Sequence, residues 1–274
     1  MVLLVLPGCM AANLRKETLL ETLEALERTP AHDTVVLNAV DILALDTAAR
    51  AFIDNRVDGI EDPYEKVRAL RNAVFDDGGL DFALDDSLTL TANETFESGS
   101  GNCVALANFF VAAVRYLGID AAFQEFERGM PTVNDDLRVV KRHINVSGKI
   151  IWQKKQARYV LDYLAVPEED FRWARVIPDQ RAFAHYYNNI AIQHLQAGEV
   201  ETALQYLKHA IYNDANVDFV WSNMGVVYSR RGDFEAAEFS YQRALDLNSD
   251  NMSARRNLVS LNKKWDEQAG PDSN

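Results

Sequence analysis

Two cysteines, Cys9 and Cys103, are all that the 274 residues contain. That scarcity excludes a disulfide framework and leaves any metal site to be built from carboxylates and histidines. Histidine is scarce as well: His32, His143, His185, His194 and His209 show no HExxH pairing, and neither a metal nor another cofactor is expected. Basic residues are in deficit, 28 Lys and Arg against 41 Asp and Glu for a net charge of −13. A charge of that sign repels nucleic acid and anionic lipid headgroups. The nearest basic clusters, Arg138-Lys141-Arg142 and Lys154-Lys155, are too small to reverse it, so nucleic acid is not expected as a partner. Nor does any apolar run suffice to span a bilayer.

What the chain does have is 48% hydrophobic residues and 25% charged ones, a globular balance over a length that suffices for two domains. At its start, apolar Met1 to Leu6 leads into Pro7-Gly8-Cys9. This resembles the tail of a bacterial lipoprotein signal, although no basic residues precede the run and it is shorter than the roughly 7 to 15 residues of such a region. The resemblance implies lipidation at Cys9 and a membrane-anchored periplasmic protein; without it the location is cytoplasmic.

Helical periodicity marks Leu14 to Leu26 through Leu19, Leu20, Leu23 and Leu26, then Asp46 to Val57 capped by Asp46 or Thr47, then Tyr64 to Phe75 led by Pro63. The stretch from Asp76 to Glu97 is rich in acids, but their spacing is not that of a calcium loop, and a solvated acidic loop is expected. Next, Gly99-Ser100-Gly101-Asn102-Cys103 runs into the apolar segment from Val104 to Leu117. A helix that begins at Cys103 and is buried on nearly every side would set the thiol beside free backbone N–H groups and the positive end of the helix dipole, which favours thiolate. The competing reading of Cys103 is a small core hydrophobe.

Beyond the stop at Gly118-Ile119-Asp120, Ala121 to Phe126 reads as a strand and Gly129 to Asp136 as a polar excursion. Val139 to Val146 alternates, with His143 and Asn145 on one face. Arg158 to Tyr163 follows as its hairpin partner after a turn at Lys154-Lys155-Gln156. Cys103, His143 and Asp162 thus come in the chain order cysteine, histidine, aspartate.

With the pieces GSGNCVALANFFVAAVRYLGIDA, RHINV and RYVLDYL, the sequence resembles the transglutaminase-like superfamily of papain-like folds from about Asp62 to Leu164. The resemblance implies Cys103 as nucleophile, His143 as the base that takes its proton and returns it to the leaving amine, and Asp162 as the group orienting the imidazole. The backbone N–H of Cys103 is then the first oxyanion donor. Ile144-Asn145 stands where members often carry an aromatic residue, which bears on substrate preference.

The tail of the chain repeats. Ala184 to Val217 aligns with Asp218 to Asn251, and the matched positions resemble tetratricopeptide repeats, whose period is about 34 residues. Trp221, Gly225, Tyr228, Ala237 and Tyr241 correspond to Tyr187, Ala191, His194, Ala203 and Leu207. His194 is therefore expected to pack, while His185 and His209 are expected at the surface or groove. Asn188, Asn189 and Asn223 are expected to face a groove that binds an extended or helical peptide.

The fold class expected is α+β, a cysteine-bearing helix on an antiparallel sheet, joined to an all-α repeat domain. In order, the segments are 1–12 signal-like, 13–60 helical, 61–178 transglutaminase-like, 179–251 two repeats, 252–267 a capping helix and 268–274 a disordered tail. Three functions follow: a thiol-dependent amide hydrolase or acyl transferase acting on a protein or peptide recruited by the repeats, a silent interaction scaffold of the cell envelope, or a structural lipoprotein.

Overall fold

The computed structural model describes residues 16–27, 40–76, 79–134, 137–161 and 174–269. Among them the elements run α1 (Lys16–Leu26), α2 (Thr47–Val57), α3 (Pro63–Phe75), β1 (Ala83–Leu84), α4 (Ala92–Ser98), β2 (Ser100–Gly101), α5 (Cys103–Tyr116), β3 (Ala122–Asn134), β4 (Leu137–Trp152), β5 (Lys155–Leu161), β6 (Ala174–Ile177), α6 (Asp179–Gln196), α7 (Val200–Asn213), α8 (Asp218–Arg231), α9 (Phe234–Leu247) and α10 (Met252–Ala269). The chain divides into two compact units. A cysteine unit comprises Asn38–Gly129 and Arg142–Tyr186; a repeat unit comprises Met1–Leu37, Met130–Lys141 and Tyr187–Asn274.

In the cysteine unit, α5 is the core element: every residue from Val104 to Val114 is buried, as the unrelieved apolar run predicts. Phenylalanines tie the surrounding helices to it. Phe109 stacks on Phe96 at 6.3 Å, Phe96 meets Phe52 at 5.4 Å, and Phe110 stacks on Phe75 at 6.2 Å, so α2, α3 and α4 all seat on one helix. The caps are those the sequence supplies: Asp46 accepts from the N–H of Ala49 at the start of α2, and Asp62 from that of Tyr64 ahead of Pro63 in α3.

The acidic stretch expected as loop contains a helix. Thr91 and Glu94 form a reciprocal capping box that closes the start of α4, so the acid at 94, though exposed, serves a helix cap. The polar excursion after Phe126 is likewise strand, since β3 continues to Asn134.

The sheet order is β5-β4-β3-β6, with β4 antiparallel to β5 and β3 antiparallel to β6. The hairpin turn falls earlier than expected. Trp152 pairs with Lys155, and Gln153 and Lys154 between them adopt φ of 48° and 64°, the left-handed pair that a two-residue connection needs to match strand twist.

The repeat unit follows the period read from the sequence. α6 and α7 form one helix pair, α8 and α9 the next, and α10 closes the stack through Phe234 against Trp265 at 5.8 Å. Gly225 is obligatory for the closeness of α8 and α9, because a Cβ there would lie 2.5 Å from the Tyr241 ring. α1 belongs to this unit: the Tyr228 hydroxyl donates to Glu27 at 2.7 Å, and Lys208 pairs with Glu27 at 2.9 Å. His194 packs as expected, stacked on Tyr206 at 5.1 Å.

Candidate functional site

The approach to Cys103 is built to be rigid. Gly99 ends α4, Ser100 and Gly101 pair as β2 with β1, and Asn102 then caps α5. A Cβ on Gly101 would stand 2.7 Å from that of Ala105, so only glycine lets the chain turn this tightly into the helix. The Asn102 carboxamide oxygen accepts from the N–H groups of Val104 at 3.0 Å and Ala105 at 3.1 Å. Its nitrogen donates to Thr89 Oγ1 at 2.6 Å, and its backbone N–H donates to the Leu88 carbonyl at 2.7 Å. Asn102 and Thr89 are both buried, so the cap is fixed from behind.

This corrects one expectation. The N–H groups of Val104 and Ala105 are consumed by the cap and do not face the thiol. What the helix offers Cys103 is its dipole and the peptide unit of the cysteine itself. Cys103 is a half-buried thiol that takes part in no disulfide, at the first position of α5, and is more open than the buried residues that follow it.

His143 lies on β4, half-buried, with its ring 5.0 Å from that of Phe126 on β3. The strand period fixes which way it faces. Its neighbour Arg142 bonds Glu125 at 3.1 Å, while Phe126, the neighbour of Glu125, meets His143. The sheet therefore has one face bearing Glu125 and Arg142 and another bearing Phe126 and His143. Asn145 shares the His143 face; it is fully buried, and neither atom of its carboxamide finds a hydrogen-bond partner among the described residues. Alternation identifies the face of Asn145, but nothing in the sequence marks it as unsatisfied.

The Glu125 face holds a cluster that sequence reasoning missed. Glu125 is fully buried and receives Arg181 Nε at 2.6 Å, Arg142 at 3.1 Å and Arg175 at 3.2 Å, with His185 Nε2 3.4 Å away. Burial alone would raise the Glu125 pKa, but contacts with His185 and Arg181 outweigh it and hold the carboxyl below the ordinary range. Burial pushes His185 down, against the pull of Glu125. His185 is thus no surface or groove residue but a 1% exposed member of a charged core, a correction forced by its pairing with a buried carboxylate. The available signal was a glutamate on the strand from Ala121 to Phe126, between the polar Gln124 and the apolar Phe126.

Asp162 and Cys9 lie outside the described residues. Leu161, the last described residue of β5, pairs with Val146. Among the described residues no helix is long and apolar enough to cross a membrane, and no three His, Cys, Asp or Glu side chains gather where they could hold a metal ion. In the repeat unit, Asn188 and Asn223, expected to face a peptide groove, instead hydrogen-bond the backbone of Val140 in the chain itself. Asn189 is buried beside them, within 3.5 Å of Asn188. His209 is in ring contact with Tyr187 at 5.5 Å.

Residues 50–136 match the family model described as Transglutaminase-like superfamily, and residues 219–251 match that described as Tetratricopeptide repeat. The first match contains Cys103 and ends before His143. The second spans α8 and α9. Comparison with curated proteins finds no match. The chain carries a transglutaminase-like domain followed by a tetratricopeptide repeat region of the kind used for protein interaction.

Proposed function

We propose that the protein is a thiol enzyme that cleaves or transfers an amide acyl group of a protein or peptide. The observation that carries this reading is the setting of Cys103: a half-buried thiol at the first turn of a capped helix, buried from Val104 to Val114, inside a transglutaminase-like match. In the proposed reaction His143 takes the thiol proton and the Cys103 sulfur attacks the substrate carbonyl. The tetrahedral oxyanion is held by the N–H of Cys103. Collapse breaks the C–N bond, His143 returns the proton to the leaving amine, and a thioester remains. Water or a second amine then attacks the thioester and frees the thiol. Asp162 is assigned the task of orienting the imidazole. Support comes from strand direction, since β5 runs antiparallel to β4 and reaches Leu161 opposite Val146, on the same strand as His143 and just past it.

A second reading, a silent interaction scaffold, is favoured by the end of the family match before His143. Alkylation separates the two. The rate of iodoacetamide labelling is followed against pH by mass spectrometry, with a small-molecule thiol, N-acetylcysteine, added as the reference. The enzyme reading expects Cys103 to label with a midpoint below the ordinary cysteine value of about 8.5, and His143→Ala to move that midpoint upward. A Cys103 that labels like a free thiol in the wild-type protein overturns it.

A further inference from the structure

Asparagine recurs at one place in the repeat unit. Asn189, Asn223 and Asn257 follow one another at the repeat period and stand on α6, α8 and α10. All three are buried, as is Asn188. Buried carboxamides demand partners, and for three of these four the partners are main chain. Asn257 Oδ1 accepts from the N–H of Arg138 at 3.0 Å, and its Nδ2 donates to the Arg138 carbonyl at 2.9 Å. Asn223 treats Val140 the same way, at 2.8 Å and 2.9 Å. Asn188 adds a donation to the Val140 carbonyl at 3.3 Å and accepts from Asn223 at 2.7 Å.

A carboxamide that accepts from and donates to one residue fits extended backbone, whose N–H and C=O point the same way. In a strand, alternate residues present those groups in the same direction, and the rungs fall on residues 138 and 140. Neither rung uses a side chain of the strand, so the ladder takes any sequence that stays extended. What it holds is the leading part of β4, and Val140 shortly precedes His143 on that same strand.

We infer that Asn188, Asn223 and Asn257 are positioning residues: a clamp that the repeats close on the chain's own backbone to hold the strand that carries His143. This inference rests on His143 acting as the base. It also means that a peptide arriving in trans does not reach these asparagines while residues 138–140 occupy them.

The test uses the full-length protein with Asn257→Ala, Asn223→Ala and, as a control that leaves both backbone bonds in place, Arg138→Ala. Amide hydrogen exchange over residues 137–141 is measured beside the pH profile of Cys103 alkylation. Asn257→Ala is expected to speed exchange at Arg138, and Asn223→Ala at Val140, by about tenfold, the change that losing about one hydrogen bond allows. Both are expected to shift the alkylation midpoint toward that of His143→Ala, while Arg138→Ala matches wild type in both measurements. Should Asn223→Ala fail to fold, Asn257→Asp takes its place: it keeps the acceptor for the Arg138 N–H, loses the donor to the carbonyl, and should fall between wild type and Asn257→Ala. Unchanged exchange overturns the clamp. Faster exchange with an unchanged alkylation profile overturns the positioning role. A wild-type profile identical to that of His143→Ala overturns the assignment of His143 as base, and exchange then decides the clamp by itself.

Discussion

Arg181 Nε donates to Glu125 Oε2 at 2.6 Å with both side chains almost wholly removed from water. An ion pair in that position gains little net stability, because each charge gives up its hydration to make the contact. Its consequence is conditional: with Glu125 present the arginines have a counter-charge, and without it two guanidinium groups, those of Arg142 and Arg181, lose a buried acceptor. Glu125 therefore specifies how α6 seats on the sheet within the cysteine unit.

Glu125→Gln is expected to destabilise the protein by about 3–5 kcal/mol, the range for breaking a buried pair from one side. Denaturant unfolding checks this, and a loss below about 1 kcal/mol refutes it. A pH dependence accompanies it. His185 is held below its ordinary value by burial, with Arg181 and Arg142 acting in the same direction. The unfolded chain thus binds a proton near about pH 6.5 that the folded chain refuses, and stability falls as pH drops through that value. The slope attributable to one such group is at most about 1.4 kcal/mol per pH unit, and His185→Gln should remove it from the range below about pH 6.5. Equal slopes in wild type and variant count against the assignment.

Asn145 predicts the opposite sign of change. Its fully buried carboxamide lacks partners among the described residues, so the folded state bears the desolvation of an amide without return. Asn145→Leu keeps the branched outline of the side chain while removing its polar atoms, and should raise stability by about 1 kcal/mol, seen as a higher unfolding midpoint. Because Asn145 shares the face of His143, the same change should slow the alkylation of Cys103 expected under the proposed function, the usual relation between a costly site and its role. A variant that is both less stable and equally reactive would contradict this reading.

The local grammar of the chain carried the helices well. Asp46, Asp62 and Pro63 announce their caps, and the repeat period places α6 to α9 without a structure. The Thr91 to Glu94 capping box was equally visible, but the density of acids around it suggested solvent before structure. Gln153 and Lys154 defeat turn reading for another reason: they are not the Asn-Gly type residues that normally mark left-handed pairs, so the register slipped. Cys103 and His143 could be chosen because their residue types are scarce and chemically distinctive. Glu125 meets Arg181 and His185 from a distant part of the chain, and Asn223 and Asn257 reach Val140 and Arg138 across the whole of the intervening sheet and helices. No periodicity records such pairings, since they depend on which strand and which helix come to share a face.

The cap of α5 offers a direct probe of the Cys103 environment. Asn102 holds α5 by accepting from Val104 and Ala105, a task that a carboxylate performs equally well. Asn102→Asp therefore preserves the helix start, and the Thr89 hydroxyl can turn to donate where it now accepts. What changes is charge: an anion arrives one residue before the thiol and opposes the formation of a second negative charge beside it. The thiolate should become harder to form, and the alkylation midpoint of Cys103 should rise by about one pH unit, roughly the repulsion of one nearby charge at a partly exposed site. Asn102→Ala supplies the contrast, since it removes the cap, costs about 0.5–2 kcal/mol of stability and adds no charge. If Asn102→Asp and Asn102→Ala shift the midpoint equally, the cap acts on Cys103 through helix order alone. A shift confined to Asn102→Asp establishes that the electrostatics of the helix start set the reactivity of the thiol.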